Sequence, residues 1–115
     1  MTGLLSGGYG LVVRFNLRTG HEDAFDALTE ETVAAIRMSE PGTLVYLVHR
    51  DASSPSVRVF YELYHNVEAF EAHEGMSHVQ RFLVERTEHL TDEPEVWRVT
   101  PTGGVLLAEV HADHD

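Results

Sequence analysis

A chain of 115 residues with 43% hydrophobic and 23% charged side chains has the make-up of one soluble globular domain, long enough to bury roughly 65% of its unfolded surface. Nineteen acidic against eight basic residues give a net charge of -11, a field that repels phosphate backbones and anionic membranes and excludes nucleic acid as an expected partner. With no cysteine, and with arginine as every basic residue, the chain offers no disulfide, thiolate nucleophile, cysteine-ligated metal or lysine Schiff base, so proton chemistry falls to carboxylates, tyrosines and histidines.

The opening MTGLLSGGYG has no basic region followed by an apolar one, as a signal peptide requires, and no apolar run approaches the ~20 residues of a membrane span. A cytoplasmic protein is expected, with residues 1–8 as a flexible N-terminus. YGLVVRFN (9–16) reads as a strand closed by Arg18-Thr19-Gly20. Thr19 and Glu22 have capping-box spacing, and Phe25, Leu28, Thr32, Ala35 and Ile36 then form one stripe of an amphipathic helix. Pro41-Gly42 turns the chain into two strands, 43–50 and 56–65, joined by Asp51-Ala52-Ser53-Ser54-Pro55 as a hairpin.

Asn66 is positioned to cap a short helix, VEAFEAH, that stops at Gly75. Ser77 with Gln80 predicts a second cap, for a helix carrying Val79, Phe82, Leu83, Arg86 and Leu90 on one side. A last strand, EVWRVTP (95–101), precedes a tail over 102–115 with one strand-like run and a polar end. No solenoid repeat is present.

Strand, helix, strand, strand, helix pair, strand is the ferredoxin-like βαββαβ order, an α+β fold whose right-handed crossovers put all helices on one face of an antiparallel sheet. Alternation sorts Leu11, Val13, Phe15, Leu44, Tyr46, Val48, Val57, Val59, Tyr61 and Leu63 into one set. Val12, Val45, Leu47, Phe60, Tyr64, Trp97 and Val99 form the other. Both faces are apolar and the helices cover one, so a second copy is expected on the other, making a homodimer.

Two histidines five residues apart, His73 and His78, flank Gly75. His73 lies in the last turn of one helix, where the dipole favours a cation; His78 follows the cap of the next, where it favours the neutral ring that a general base needs. Each could equally be a helix-end residue without a role. Glu62 shares a strand face with Phe60 and Tyr64, and is costly to bury unless it orients a histidine, binds a substrate hydroxyl or pairs with an arginine such as Arg14. Trp97 reads as core or interface, and His49 and His65 as solvated strand ends. A zinc-type pair would sit at i and i+4; at five apart with no third ligand, His73 and His78 predict no metal site. The terminal HADHD could grip only a stray ion.

The runs EPGTLVYLVHRD and VFYELYHNVEAFEAHEGMSHVQRF resemble the antibiotic biosynthesis monooxygenase family of the dimeric α+β barrel superfamily. The likeness covers residues 9–101 and rests on Glu62-x-Tyr64, then Phe70-x-x-His73, then Ser77-His78. It implies a homodimer and, from the quinol-monooxygenase-like branch, oxidation of an electron-rich hydroxyaromatic (a quinol or anthrone) to a quinone with molecular oxygen and no cofactor. The asparagine, tryptophan and tyrosine of anthrone-oxidising relatives fall at Phe60, Tyr64 and Phe70. The haem-degrading relatives' asparagine, tryptophan and haem-ligating histidine fall at Val13, His73 and Leu83, so haem is not expected. On this reading His78 or His73 is the base, Tyr64 donor and wall, Glu62 orienter, and Phe60, Phe70, Tyr46 and Phe82 are substrate-binding walls. An isomerase of a small polar substrate, which would need arginines in its pocket, and a non-catalytic ligand-binding dimeric module are the alternatives.

Overall fold

The computed structural model describes residues 6–106. The first five residues of the expected flexible N-terminus, and the tail from 107 with HADHD, lie outside them. The elements are β1 (Tyr9–Asn16), α1 (Glu22–Ser39), β2 (Thr43–Asp51), β3 (Ser54–Tyr64), α2 (Val67–Glu74), α3 (Ser77–Glu85), a 3-10 turn (Arg86–His89) and β4 (Glu95–Val99). The strands pair antiparallel in the order β2-β3-β1-β4. This is the expected ferredoxin-like α+β arrangement.

One face of the sheet holds the core. Val13 and Phe15 of β1 and Phe60 of β3 meet Phe25 and Leu28 of α1, Phe82 of α3, and Leu90 beyond the 3-10 turn. Phe15 packs edge-on against Phe60 with ring centroids 4.6 Å apart, and Phe25 lies 5.2 Å from Phe15. Arg58 is buried beside this cluster and grips Asp26 of α1 with two hydrogen bonds of 2.8 and 2.9 Å. The planar fork of the guanidinium thus fixes α1 on β3.

Three sequence expectations are corrected. First, the capping boxes do not form. Gly20, at φ +89°, turns the chain before α1, and the helix starts after His21 with no side-chain cap. The Glu22 carboxylate instead accepts from the Gly20 N–H and, at 2.6 Å, from the Ser56 hydroxyl. Ser77 lies inside α3 rather than at its cap, and Gln80 donates back to the Glu74 carbonyl. Second, the helix expected to run to Leu90 tightens into the 3-10 turn at Arg86.

Third, the phase of β3 is reversed. Val13 pairs with Phe60 and Tyr46 with Glu62, and residues paired across a ladder share a face. Phe60, Glu62 and Tyr64 therefore face the helices with Phe15 and Tyr46. Val57, Val59, Tyr61 and Leu63 join Val12, Val45, Leu47, Trp97 and Val99 on the open face. There Leu47 and Trp97 remain 54% and 50% exposed. The Asn66 cap is as expected: its side chain accepts the Ala69 N–H at 2.8 Å, and α2 stops at Gly75. Among the described residues no helix is long and apolar enough to cross a membrane.

Candidate active site

A cavity of about 360 Å³ opens between the sheet and the α2–α3 corner. Its floor comes from β1 (Leu11, Val13, Phe15), and Tyr46 and Glu62 line the β2–β3 side. Phe70, His73, Phe82 and Arg86 come from the helical layer, and Val96 and Arg98 from β4. At one end Tyr9 stacks on Phe70 with centroids 4.6 Å apart, and the Arg98 guanidinium lies 3.5 Å above the Tyr9 ring. A shallower groove of about 700 Å³ runs between α1 and the edge strand β2. It holds neither His73 nor His78, and its Arg58 is already satisfied by Asp26.

The two histidines converge on Glu40, the C-cap of α1, which the sequence reading did not single out. His73 Nδ1 is 2.6 Å from Glu40 Oε1, and His78 Nε2 is 2.5 Å from Glu40 Oε2. The Thr43 hydroxyl donates a third bond to Oε1 at 2.7 Å. Burial alone would raise the Glu40 carboxyl, but the bonds from Thr43, His73 and His78 outweigh it and hold the group below the ordinary glutamate value. An ionised carboxylate accepts only, so both rings donate to it. His73 therefore carries its proton on Nδ1 when neutral, leaving Nε2 as the basic nitrogen. Among the described residues the His73 ring bonds only through Nδ1.

His73 is buried, lines the cavity and lies against Tyr64, its centroid 4.9 Å away, and Tyr46. His78 is less enclosed, with 18% of its side chain exposed, and is not among the residues that line the cavity. The structure thus separates two residues that spacing alone treats alike.

Glu62 is buried on the cavity wall, where burial pushes its carboxyl up and the Tyr64 hydroxyl, donating to Oε1 at 2.6 Å, only partly offsets this. Tyr64 is fully buried and does not line the cavity; burial and the neighbouring Glu62 charge hold its phenol far above the usual tyrosine range. Its hydroxyl is tied to the cavity wall by the bond to Glu62. The suggested pairing of Glu62 with Arg14 is overturned, because Arg14 pairs opposite Val59 on the open face and donates to Asn16. Of the expected walls, Phe70, Tyr46 and Phe82 line the cavity; Phe60 is wholly buried beneath them in the core. The sequence reading missed Glu40, Tyr9, Arg86 and Arg98. Among the described residues no three histidines or carboxylates converge as metal ligands.

The profile of the antibiotic biosynthesis monooxygenase family matches residues 8–85. Among solved structures, a candidate antibiotic biosynthesis monooxygenase from Caulobacter crescentus is 21% identical. It superposes with a TM-score of 0.80 over 84% of this chain and 92% of its own. A similarly described protein from Bacteroides thetaiotaomicron gives 17%, 0.82, 91% and 99%, and Rv0793 from Mycobacterium tuberculosis 23%, 0.79, 86% and 99%. At these identities the structures speak for the fold. No functionally curated protein matches the chain.

Proposed function

Because the chain belongs to the antibiotic biosynthesis monooxygenase family, we propose that it is a cofactor-independent monooxygenase that oxidises an electron-rich hydroxyaromatic, of quinol or anthrone type, to a quinone with molecular oxygen. The observation that carries this reading is the Glu40–His73 pair: a buried carboxylate fixes one tautomer of a histidine on the wall of a largely apolar cavity. That is what a general base needs, and it casts His73 rather than His78 in the role. Glu40 takes the orienting part expected of Glu62, and His78 clamps the other oxygen of Glu40.

The chemistry closes on these residues. His73 Nε2 removes a proton from the substrate. The resulting anion gives one electron to oxygen, and the radical pair joins at a hydrogen-bearing ring carbon, para to the ring oxygen in an anthrone and ortho to it in a quinol, as a peroxide anion. Glu62, kept towards its neutral form by burial, protonates that anion. The carbon then loses its remaining hydrogen, as a proton, to Glu62 while the O–O bond breaks. The departing hydroxide takes the proton from His73 and leaves as water. One anthrone and one O₂ give one anthraquinone and one H₂O, and one quinol and one O₂ give one hydroxyquinone and one H₂O. A base and an acid of opposed environments on facing walls suit this sequence.

The apolar open face supports a homodimer, and a cytoplasmic location stands as part of the same proposal. A second reading, an isomerase of a small polar substrate, draws support from Arg86 and Arg98 in the cavity. Oxygen-electrode traces with a panel of anthrones and quinols, chelator present, separate the two. One O₂ should be consumed per quinone formed, and His73→Gln should lower turnover ~10²-fold or more. No uptake with any of the panel, or a fully active His73→Gln, would overturn the oxygenase reading.

A further inference from the structure

Arg86 is the first residue of the 3-10 turn and enters the cavity from the helical layer. Its guanidinium carbon lies 5.5 Å from the centre of the Phe15 ring and 5.8 Å from that of Phe82. Its Nε is shielded from water and has no acceptor among the described residues. Arg58, the other arginine against the core, satisfies the same atom with Asp26. Glu62 and Glu74 line the cavity with Arg86, yet neither forms an ion pair with it within 4.0 Å; the ion pairs of the described residues lie elsewhere. A buried donor without a partner is uncommon and calls for an acceptor. A guanidinium packed over two aromatic rings on the wall of a cavity matches a planar oxyanion lying beside an aromatic ring.

We infer that Arg86 is an anion-docking residue and that the ligand of this cavity is an aromatic acid, its carboxylate on the Arg86 guanidinium and its ring against Phe15 and Phe82. This names the substrate class for the oxygenase reading and rests on it in that respect. The carboxylate would fix which ring carbon faces His73, and Arg86 contributes binding and orientation rather than proton transfer.

A matched pair tests this at equilibrium and without oxygen: 1-hydroxy-2-naphthoic acid and 1-naphthol, which differ by the carboxylate, titrated by calorimetry into the wild-type protein and Arg86→Met. The acid is expected to bind the wild type at least about tenfold tighter, as a charge-assisted hydrogen bond in a sheltered site gives. Arg86→Met is expected to abolish that preference while leaving 1-naphthol within about threefold. Arg86→Lys, which keeps the charge and loses the fork, should retain only part of it and covers the case in which the methionine variant fails to fold. Equal wild-type affinities, or an acid preference that survives in both variants, would overturn the inference. Failure of oxygen uptake in air would sink the oxygenase reading and leave this binding result standing.

Discussion

A β-carbon placed on Gly42 would lie 2.7 Å from the Cβ of Ala69. The turn after Glu40 therefore rests directly on α2, and the Gly42 carbonyl accepts the His65 N–H at 2.9 Å. This contact holds the segment that follows Glu40 against the helix that carries His73. Gly42→Ala should cost about 1–3 kcal/mol, the usual scale for overpacking, and should lower turnover by displacing Glu40. Ala69→Gly removes the struck methyl group, so the double variant should recover activity that the single one loses. Turnover and melting temperature of the two singles and the double form the cycle; a fully active Gly42→Ala would separate the turn from the site.

His73 and His78 should differ sharply on mutation. His73→Gln is expected to lose ~10²-fold or more in turnover. His78→Gln, away from the cavity, should stay within about tenfold, its loss coming through a less firmly held Glu40. Steady-state kinetics on one oxidisable substrate decides between them, and the reverse order would restore His78 as the base.

Glu40 should govern the acid limb of stability. Its folded-state value is held below the ordinary one. The ionised group therefore stabilises the fold above the unfolded value, and that contribution is lost as pH falls through the folded one. Glu40→Ala, which leaves two enclosed imidazoles without their acceptor, should cost about 3 kcal/mol near neutral pH. The gap between variant and wild type should narrow on acidification. Urea unfolding across a pH series measures it, and a gap that widens towards acid would contradict the assignment.

The sign is opposite for Glu62. Burial raises its folded-state value, so the folded protein binds this proton more tightly and stability declines as pH rises from the unfolded value through the folded one. Glu62→Gln keeps an acceptor for the Tyr64 hydroxyl and removes the charge. It should raise the melting temperature at mildly alkaline pH and slow the reaction. Loss of stability there would show that the charge is compensated by something else.

The open face should be an interface. Leu47→Asp or Trp97→Asp places a charge among the exposed apolar residues of that face and should convert a dimer to a monomer in light scattering at micromolar concentration. A wild-type protein that is already monomeric would refute the dimer.

Local signals carried much of the fold. Asn66 reaches a donor three residues on and Gly75 stops the same helix, contacts decided within one turn of chain. Glu22 has the spacing of a capping box but not the bond, because its partner, Ser56, is supplied by another element. The phase of β3 was hidden because both sheet faces are apolar, so alternation could not say which set faced the helices. A bulge at Leu44 breaks the alternation at the start of β2, so that Thr43 lies opposite Tyr64 and Val45 opposite Leu63. At the site, His73, Glu62 and Tyr64 stood out as polar groups at marked spacings. Glu40 lies 33 positions from His73 and has no pattern of its own beyond ending a helix before Pro41-Gly42. In the sequence Arg86 is one more position on a helix stripe; its missing acceptor is visible only in three dimensions.

The cavity lies on the helical side of the sheet, and the apolar face lies on the other. Two copies joined back to back through those faces would turn their cavities outward, with two sheets between them and each cavity lined by one chain. Such a pair needs no exchange of residues to build either site. Saturation of one should leave the other's affinity unchanged, giving hyperbolic binding and a Hill coefficient of about one. Association would then serve to keep the sheet dry rather than to let one subunit sense the other.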